Sequence, residues 1–376
     1  MAVHVKARSG GLQRRERYLA YGMMAPAAVL LILFLIVPFV MAFGLSFTNQ
    51  SLVPPLETVV DETTGETVQR QKPPDFIGTD NYQNLLRIHI FTMEPLVDEQ
   101  TGEVLRDEAG GIQYERARTY LRPERLEELF QIDLFGTRYL VGAGDASFYR
   151  SLLNIFEFVI IVVPVQTSLA LFLAMLVNQK IRGANVFRTI YFSPVVTAMA
   201  IVAVLWFFLY NPSDGLINNF LKVFNIGPFQ WLEHPASALI AIIIMSIWQG
   251  VGFQMVIYLA GLQEISEDLY EAASIDGANR IQQFRFVTLP SLRNTTLFVA
   301  ISTTILAFKL FVQVDVMTFG RGGPENATIT PILHMVNEGF RSAQRVGYAA
   351  AIAVVFVLIV LAISLIQRRV LSYGDH

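Results

Sequence analysis

Long stretches of this chain carry no Asp, Glu, Lys or Arg. Five such runs cover residues 18–56, 158–179, 189–213, 234–263 and 346–367, each at least 22 residues long. A helix rises about 1.5 Å per residue, so about 20 apolar residues cross the hydrocarbon core of a membrane. A sixth run, 294–308, is shorter, but apolar sequence continues past Lys309 and Asp315 to Gly320. Backbone groups in lipid must be satisfied within the protein, so runs of this length read as helices. The first is too long for a simple signal peptide. Charged residues make up only 16% of the chain, against about 25% in a soluble domain. The expected fold is therefore an all-α polytopic membrane protein with six transmembrane helices, at residues 20–48, 152–179, 187–211, 237–263, 293–319 and 346–367. Pro164 and Pro194 fall inside spans and are expected to kink them.

Basic residues in the short flanks set an orientation. Lys6, Arg8, Arg14, Arg15 and Arg17 precede the first span; Lys180, Arg182, Arg188, Arg280, Arg285, Arg293, Arg368 and Arg369 fall on the same side. The short loops of the opposite side hold Lys222, Arg321, Arg341 and Arg345. The positive-inside rule puts both tails, 1–19 and 371–376, in the cytoplasm. The expected location is the cytoplasmic (inner) membrane of a prokaryote, in multi-pass form.

Several function classes drop out. The chain has no cysteine, which excludes disulfides, Cys-ligated zinc and thiol chemistry. Its five His are scattered and its net charge is −3, so neither a metal cluster nor a nucleic-acid partner is expected. No Gly-x-x-x-x-Gly-Lys-Ser/Thr motif is present, so the chain is not expected to hydrolyse ATP, and no nucleophile–base constellation suggests an enzyme. An ion-coupled secondary transporter would need paired acids or broken helices at midplane. Lys309 and Asp315 come nearest. Counted from Arg293 they lie about 24 and 33 Å along a helix, beyond midplane and about 120° apart. Lys309 then snorkels, lines a cavity or meets a partner subunit.

Segment 49–150 is polar, acidic and domain-sized, and lies outside under this topology. Its strings Asp61–Val68 and Asp98–Leu105 place Thr-Gly between β-branched residues, as at hairpin tips. Calcium is disfavoured because EF-hand spacing is absent. Residues 116–128 read as helical, with Pro123 near a helix start. A small mixed α/β extracytoplasmic insertion is expected, offering a docking surface to an external partner.

Between the fourth and fifth spans lies Glu264–Ala278, EISEDLYEAASIDGA, followed by Thr288-Leu289-Pro290. Ser266 is placed to cap a helix, and Glu267, Asp268 and Glu271 complement its dipole. Ala272-Ala273 make a face small enough to enter a groove, and Gly277 permits a tight turn. A short helix over 264–280 at the cytoplasmic surface is the structural reading.

The spacing Glu271-Ala272-Ala273, Gly277, Val287, Leu289-Pro290 resembles the EAA loop of binding-protein-dependent ABC importer permeases, with Val287 where Ile is usual. YEAASIDGA and FRFVTLP are similar to the carbohydrate-uptake branch, the maltose-type and glycerol-phosphate-type permeases. Ser46–Asn49, Asn81-Tyr82, Gly322-Gly323-Pro324 and Gly347–Ala351 carry the same resemblance. It covers residues 20–50 and 148–370, making 151–370 the permease core. The resemblance implies a second permease subunit, usually a different chain, two cytoplasmic ABC ATPase subunits that hold the ATP and Mg, an external solute-binding protein and a sugar-like solute. This chain would hold no cofactor. Glu271, Ala272, Ala273, Asp276 and Gly277 would couple to the ATPase. In the fourth span Trp248, Gln249, Gly250, Phe253 and Gln254 crowd one level; Trp248-x-Gly250 is similar to the maltose-type pattern, and Phe253 falls where that subunit stacks a sugar. Thr303 matches a small hydroxyl position. Leu306, Ala307 and Leu310 depart from the maltose type, which is mostly polar there. Glycerol phosphate is the alternative solute.

Overall fold

The computed structural model describes residues 10–60, 67–98, 102–106, 110–179 and 184–372. The first apolar stretch forms α1 (Gly10–Leu31), a π-helical turn Ile32–Ile36 and α2 (Val37–Leu45). Pro38 has no N–H for an ordinary i→i−4 bond, which accounts for the local shift to π geometry. None of the most apolar window within Arg17–Leu45 is buried in the chain. The end of α2 is held by Asn81, whose buried side-chain amide donates to Ser46 O (2.8 Å) and Thr48 O (3.0 Å).

The segment that follows is mixed α/β, as its sequence suggests. Strands β1 (Leu56–Val60) and β2 (Thr67–Gln71) pair antiparallel, Val60 opposite Thr67; the expected hairpin tip at 61–66 lies outside the described residues. Helix α3 (Asp80–Leu86) leads to β3 (Ile88–Met93). At the second expected tip, residues 99–101 lie outside the described residues; beside them Val97 bridges Val104 and Gly102 stands at φ +69°. Helix α4 (Ala117–Glu124) is shorter than the expected 116–128. It ends at Arg125 in the left-handed region, Pro123 stands in its last turn, and Glu127 already begins β4 (Glu127–Leu134). The cause is tertiary: β4 pairs with β5 (Thr137–Ala143), which also pairs with β3, giving the order β3-β5-β4. Phe135 and Gly136 make the β4–β5 turn with φ of +51° and +81°, the requirement of a type I′ turn. Met93, Leu121, Leu126 and Leu140 form a small core beneath the sheet.

Asp145 then caps α5 (Ala146–Asn178), which begins earlier than the expected 152 and runs unbroken through Pro164. The next charge-free run, expected as one span, is two helices, α6 (Ala184–Val196) and α7 (Met199–Leu209), bent by 99° at Thr197-Ala198. The halves follow different partners: α6 packs on α9, α7 mainly on α14. Helix α8 (Leu216–Lys222) precedes α9 (Pro235–Gln263). After α9 come α10 (Glu267–Ile275), α11 (Arg280–Gln283), a π turn Phe284–Thr288 and α12 (Leu289–Ser291). The expected span 293–319 is likewise broken. Helix α13 (Arg293–Phe308) stops, Phe311 is non-helical at φ −146°, ψ −63°, and α14 (Val312–Met317) resumes. Helix α15 (Pro331–Val336), a π turn Asn337–Arg341 and α16 (Val346–Ser372) complete the chain.

Four helices among the described residues are long and apolar enough to cross a membrane: Arg17–Leu45, α5, α9 and Val346–Arg369 of α16. Helices α5 and α9 form the spine and run the same way, with Ile155, Phe158 and Val162 against Ile242 and Met245, and Ala174 with Met255 and Tyr258 farther along. Gly252 lets α6 come close, since a Cβ there would sit 2.1 Å from Tyr191 O. The sheet stands at one end of this bundle and α10–α12 at the other.

Candidate functional site

Both helix breaks open onto one cavity of about 480 Å³. Val195 and Met199 border it from the α6–α7 bend; Lys309, Leu310 and Val312 border it from the α13–α14 break. Of the residues singled out in the sequence, Gln249, Gly250, Phe253, Gln254 and Thr303 line it. Trp248 does not: its indole packs 5.5 Å from that of Trp206, on another side of α9. Residues five apart are about 140° apart on a helix, so Trp248 and Phe253 cannot share a face, whereas Gln249 with Phe253 and Gly250 with Gln254 do. The departing Leu306, Ala307 and Leu310 also line the cavity.

A polar chain crosses the cavity wall. Gln166 Nε2 on α5 donates to Gln254 Oε1 on α9 (3.2 Å), and Gln254 Nε2 donates to Thr303 Oγ1 on α13 (3.2 Å). All three side chains are buried, at 5%, 3% and 2% exposure. Gln166 was missed in the sequence; an amide two residues after Pro164 in an apolar span was its signal. Ser246, also missed, lines the cavity with a buried hydroxyl that has no partner among the described residues, leaving a donor and an acceptor for a guest. Phe253 presents a ring that is 42% exposed. Among the described residues, Lys309 is the one charged residue of the lining; it caps the interrupted α13 rather than riding on a continuous span. Amides, hydroxyls and an aromatic face can hold a polyhydroxylated solute without reacting with it.

Gly250 makes this chain possible, because a Cβ there would lie 2.0 Å from Gln166 Nε2. Gly250→Ala is expected to displace Gln166 and strand a buried amide, costing about 1–3 kcal/mol. Thermal unfolding should show the loss, and adding Gln166→Ala should recover much of it; additive losses would contradict the contact.

At the opposite end of the bundle, Ser266 Oγ caps α10 by accepting from Asp268 N (3.3 Å). Gly277 sits at φ +81° with open space around it, so backbone conformation alone calls for glycine. Asn279 then starts α11 with a reciprocal capping box to Gln282. Gln283 Nε2 donates to Ser274 Oγ (2.9 Å), and the Tyr270 and Thr288 hydroxyls meet at 3.0 Å. The result is a hook braced from within. Glu271, Ala272 and Asp276 are exposed and Ala273 is half-buried. Around them Leu269 is 50%, Ile275 86%, Ile281 78% and Phe286 69% exposed. Several exposed large apolar side chains on one short hook are what an interaction surface would need.

A third constellation was not foreseen. Asp145 Oδ2 lies 2.7 Å from His334 Nε2 and accepts from the Tyr348 hydroxyl at 2.7 Å, joining α5, α15 and α16 beneath the sheet. Among the described residues no group of three or more His, Asp or Glu could hold a metal.

Comparison with known proteins places this arrangement. Residues 148–372 match the family of binding-protein-dependent transport system inner membrane components. The lactose transport system permease protein LacF of Rhizobium radiobacter is 39% identical over 236 residues, 62% of this chain and 79% of that protein. The sn-glycerol-3-phosphate transport system permease protein UgpA of Yersinia enterocolitica is 34% identical, over 63% of this chain and 77% of its own length. A solved bacterial ABC transporter involved in import of the acidic polysaccharide alginate shares the fold: TM-score 0.63, 18% identity, 96% of this chain and 98% of that one. With EAA-loop spacing, a cavity at interrupted helices and a family match over its whole permease core, the chain belongs to the inner membrane components of binding-protein-dependent transport systems, as a permease component rather than an enzyme.

Proposed function

We propose that this permease forms half of the translocation path of an ATP-driven importer for a sugar or related solute. The observation that carries the reading is the cavity at the two helix breaks, where Phe253 stands beside the Gln166–Gln254–Thr303 chain. The names of its relatives, a lactose and a glycerol phosphate permease among them, support the solute class. In this reading the chain crosses the membrane six times with both termini in the cytoplasm; the bent α6–α7 pair and the α13–α14 pair each make one crossing. The insertion 49–150 faces outward and receives a solute-binding protein. The fully exposed Phe135 at the β4–β5 turn is a contact point. Two ATPase subunits, carrying ATP and Mg, take the α10 hook in a cleft, and a second permease subunit closes the path. Nucleotide binding biases a two-state arrangement, and the cavity alternates between the two sides.

Lys309 favours a second reading, in which the solute is anionic, such as glycerol phosphate. Both are tested by reconstituting the assembled complex with its binding protein in proteoliposomes and offering lactose and glycerol 3-phosphate separately. Uptake of either should require ATP and the ATPase subunits. Uptake driven by an ion gradient without those subunits would overturn the proposal.

A further inference from the structure

A second pocket, of about 450 Å³, lies nearer the insertion end of the bundle, between the end of α7, the start of α9 and the loop after α14. We propose that it is a second saccharide subsite, one helical turn along α14 from the inner cavity, so that the path recognises a chain of sugar rings. This inference rests on the sugar reading above and names its substrate class as an oligosaccharide.

Three observations carry it. The first is Phe319, an aromatic residue at φ +51° that is 72% exposed. A bulky side chain rarely accepts the left-handed region, and such outliers persist where the surroundings impose them. Here they do. Gly320 N donates to Asp315 O (2.8 Å), Gly322 N to Thr318 Oγ1 (3.1 Å), and Asn337 Nδ2 to Gly320 O (2.9 Å). Arg341, paired bidentately with Asp315, packs against Gly320. The backbone on both sides is pinned, and the ring is held out at the pocket, edge-on to Phe207 at 5.2 Å.

The second is the rim. Asn211, Glu233 and Arg321 border the pocket; Asn211 Oδ1 already accepts from Ser213 N and Asp214 N, whereas Glu233 and Arg321 have no ion pair among the described residues. An aromatic platform with such charged hydrogen-bonding groups at its rim suits a pyranose ring. The third is proximity. Gln313 lines the inner cavity and Met317 the second pocket. They are four residues apart on α14, on one face and about 6 Å apart along the axis, so the two pockets neighbour one another along that helix, within the span of a short chain of rings.

The test uses the full complex in proteoliposomes, with lactose and glycerol 3-phosphate as small probes and maltotriose and an alginate trisaccharide as long ones. Phe319→Ala should raise the half-saturating concentration of a transported trisaccharide by about tenfold, the scale of a lost ring stack, and leave that of a small probe within twofold. Phe319→Tyr should restore the trisaccharide value. An equal effect on small and long probes, no effect on either, or uptake of small probes alone would overturn the subsite. Failure of the unmodified complex to take up any sugar would instead overturn the sugar reading, and the subsite falls with it.

Discussion

Glu271→Lys is expected to leave this protein in the membrane but to cost it uptake and solute-stimulated ATP hydrolysis. Glu271 is exposed on α10 and has no ion pair within the described residues. Neither the helix nor the bundle depends on it. The hook that carries it is braced by its own hydrogen bonds and also exposes Leu269, Ile275 and Ile281, so the proposed contact with a partner can be tested without unfolding the hook. If a basic group of the ATPase receives it, truncating a buried charge pair costs about 2–5 kcal/mol, and reversal costs more. Subunit yield after co-purification reads assembly; ATPase assays with binding protein and solute read coupling. Normal yield with normal uptake would remove Glu271 from the contact. Gly277→Val adds an independent check, because φ +81° penalises a β-branched residue whatever the partner.

The second large effect concerns stability. Asp145 caps α5 through Phe148 N (2.8 Å) and also takes hydrogen bonds from His334 and Tyr348. Because an ionised carboxylate only accepts, His334 Nε2 carries the hydrogen. The three side chains are 7%, 5% and 6% exposed. Asp145→Ala strips the cap and strands two buried polar groups, so a loss of about 3–5 kcal/mol is expected, read as a lower unfolding midpoint in detergent. Asp145→Asn should lose less, since it keeps acceptor capacity at one oxygen. A midpoint unchanged in Asp145→Ala would contradict this account. The pH dependence follows from sign. Burial pushes the Asp145 carboxyl up, but the His334, Tyr348 and Phe148 donors together outweigh it and hold the value below its ordinary 3.8. A depressed folded value stabilises fully above the unfolded one, and the contribution is lost as pH falls through the folded value. This group therefore adds nothing to any pH dependence between about 5 and 8; its loss appears only in strong acid.

What could be read from the sequence was what local pattern determines. Charge-free runs located the long apolar helices, because exclusion of charge from hydrocarbon is a property of each segment alone. The EAA-like spacing located α10 and its turn, because a cap, an acidic first turn and a turn glycine act over a few residues. Pro194 signalled the bend between α6 and α7, but the α13–α14 break was hidden for the opposite reason. Lys309-Leu310-Phe311 contains neither Pro nor Gly; the interruption lets α14 lie against α7, a long-range cause. Trp248 was grouped with Phe253 by closeness in sequence, where helical angle separates them. Gln166 lies 88 residues from Gln254, and Asp145 lies 189 from His334, so no local pattern could join them. The β4–β5 turn was hidden because Phe135-Gly136 lacks the Asn-Gly or Asp-Gly signature of its geometry.

The central claim is that the cavity beside Phe253 and Thr303 is the path of the solute. The chain has no cysteine, so Phe253→Cys, Thr303→Cys and Trp248→Cys can each be labelled with a water-soluble maleimide in the assembled complex, with and without nucleotide and solute. The account predicts that the cysteines at 253 and 303 react in at least one nucleotide state and are protected by transported solute, while the one at 248 stays outside the aqueous path and does not react. If the cysteines at 253 and 303 are inert in every state, those residues are packed core and the solute crosses elsewhere.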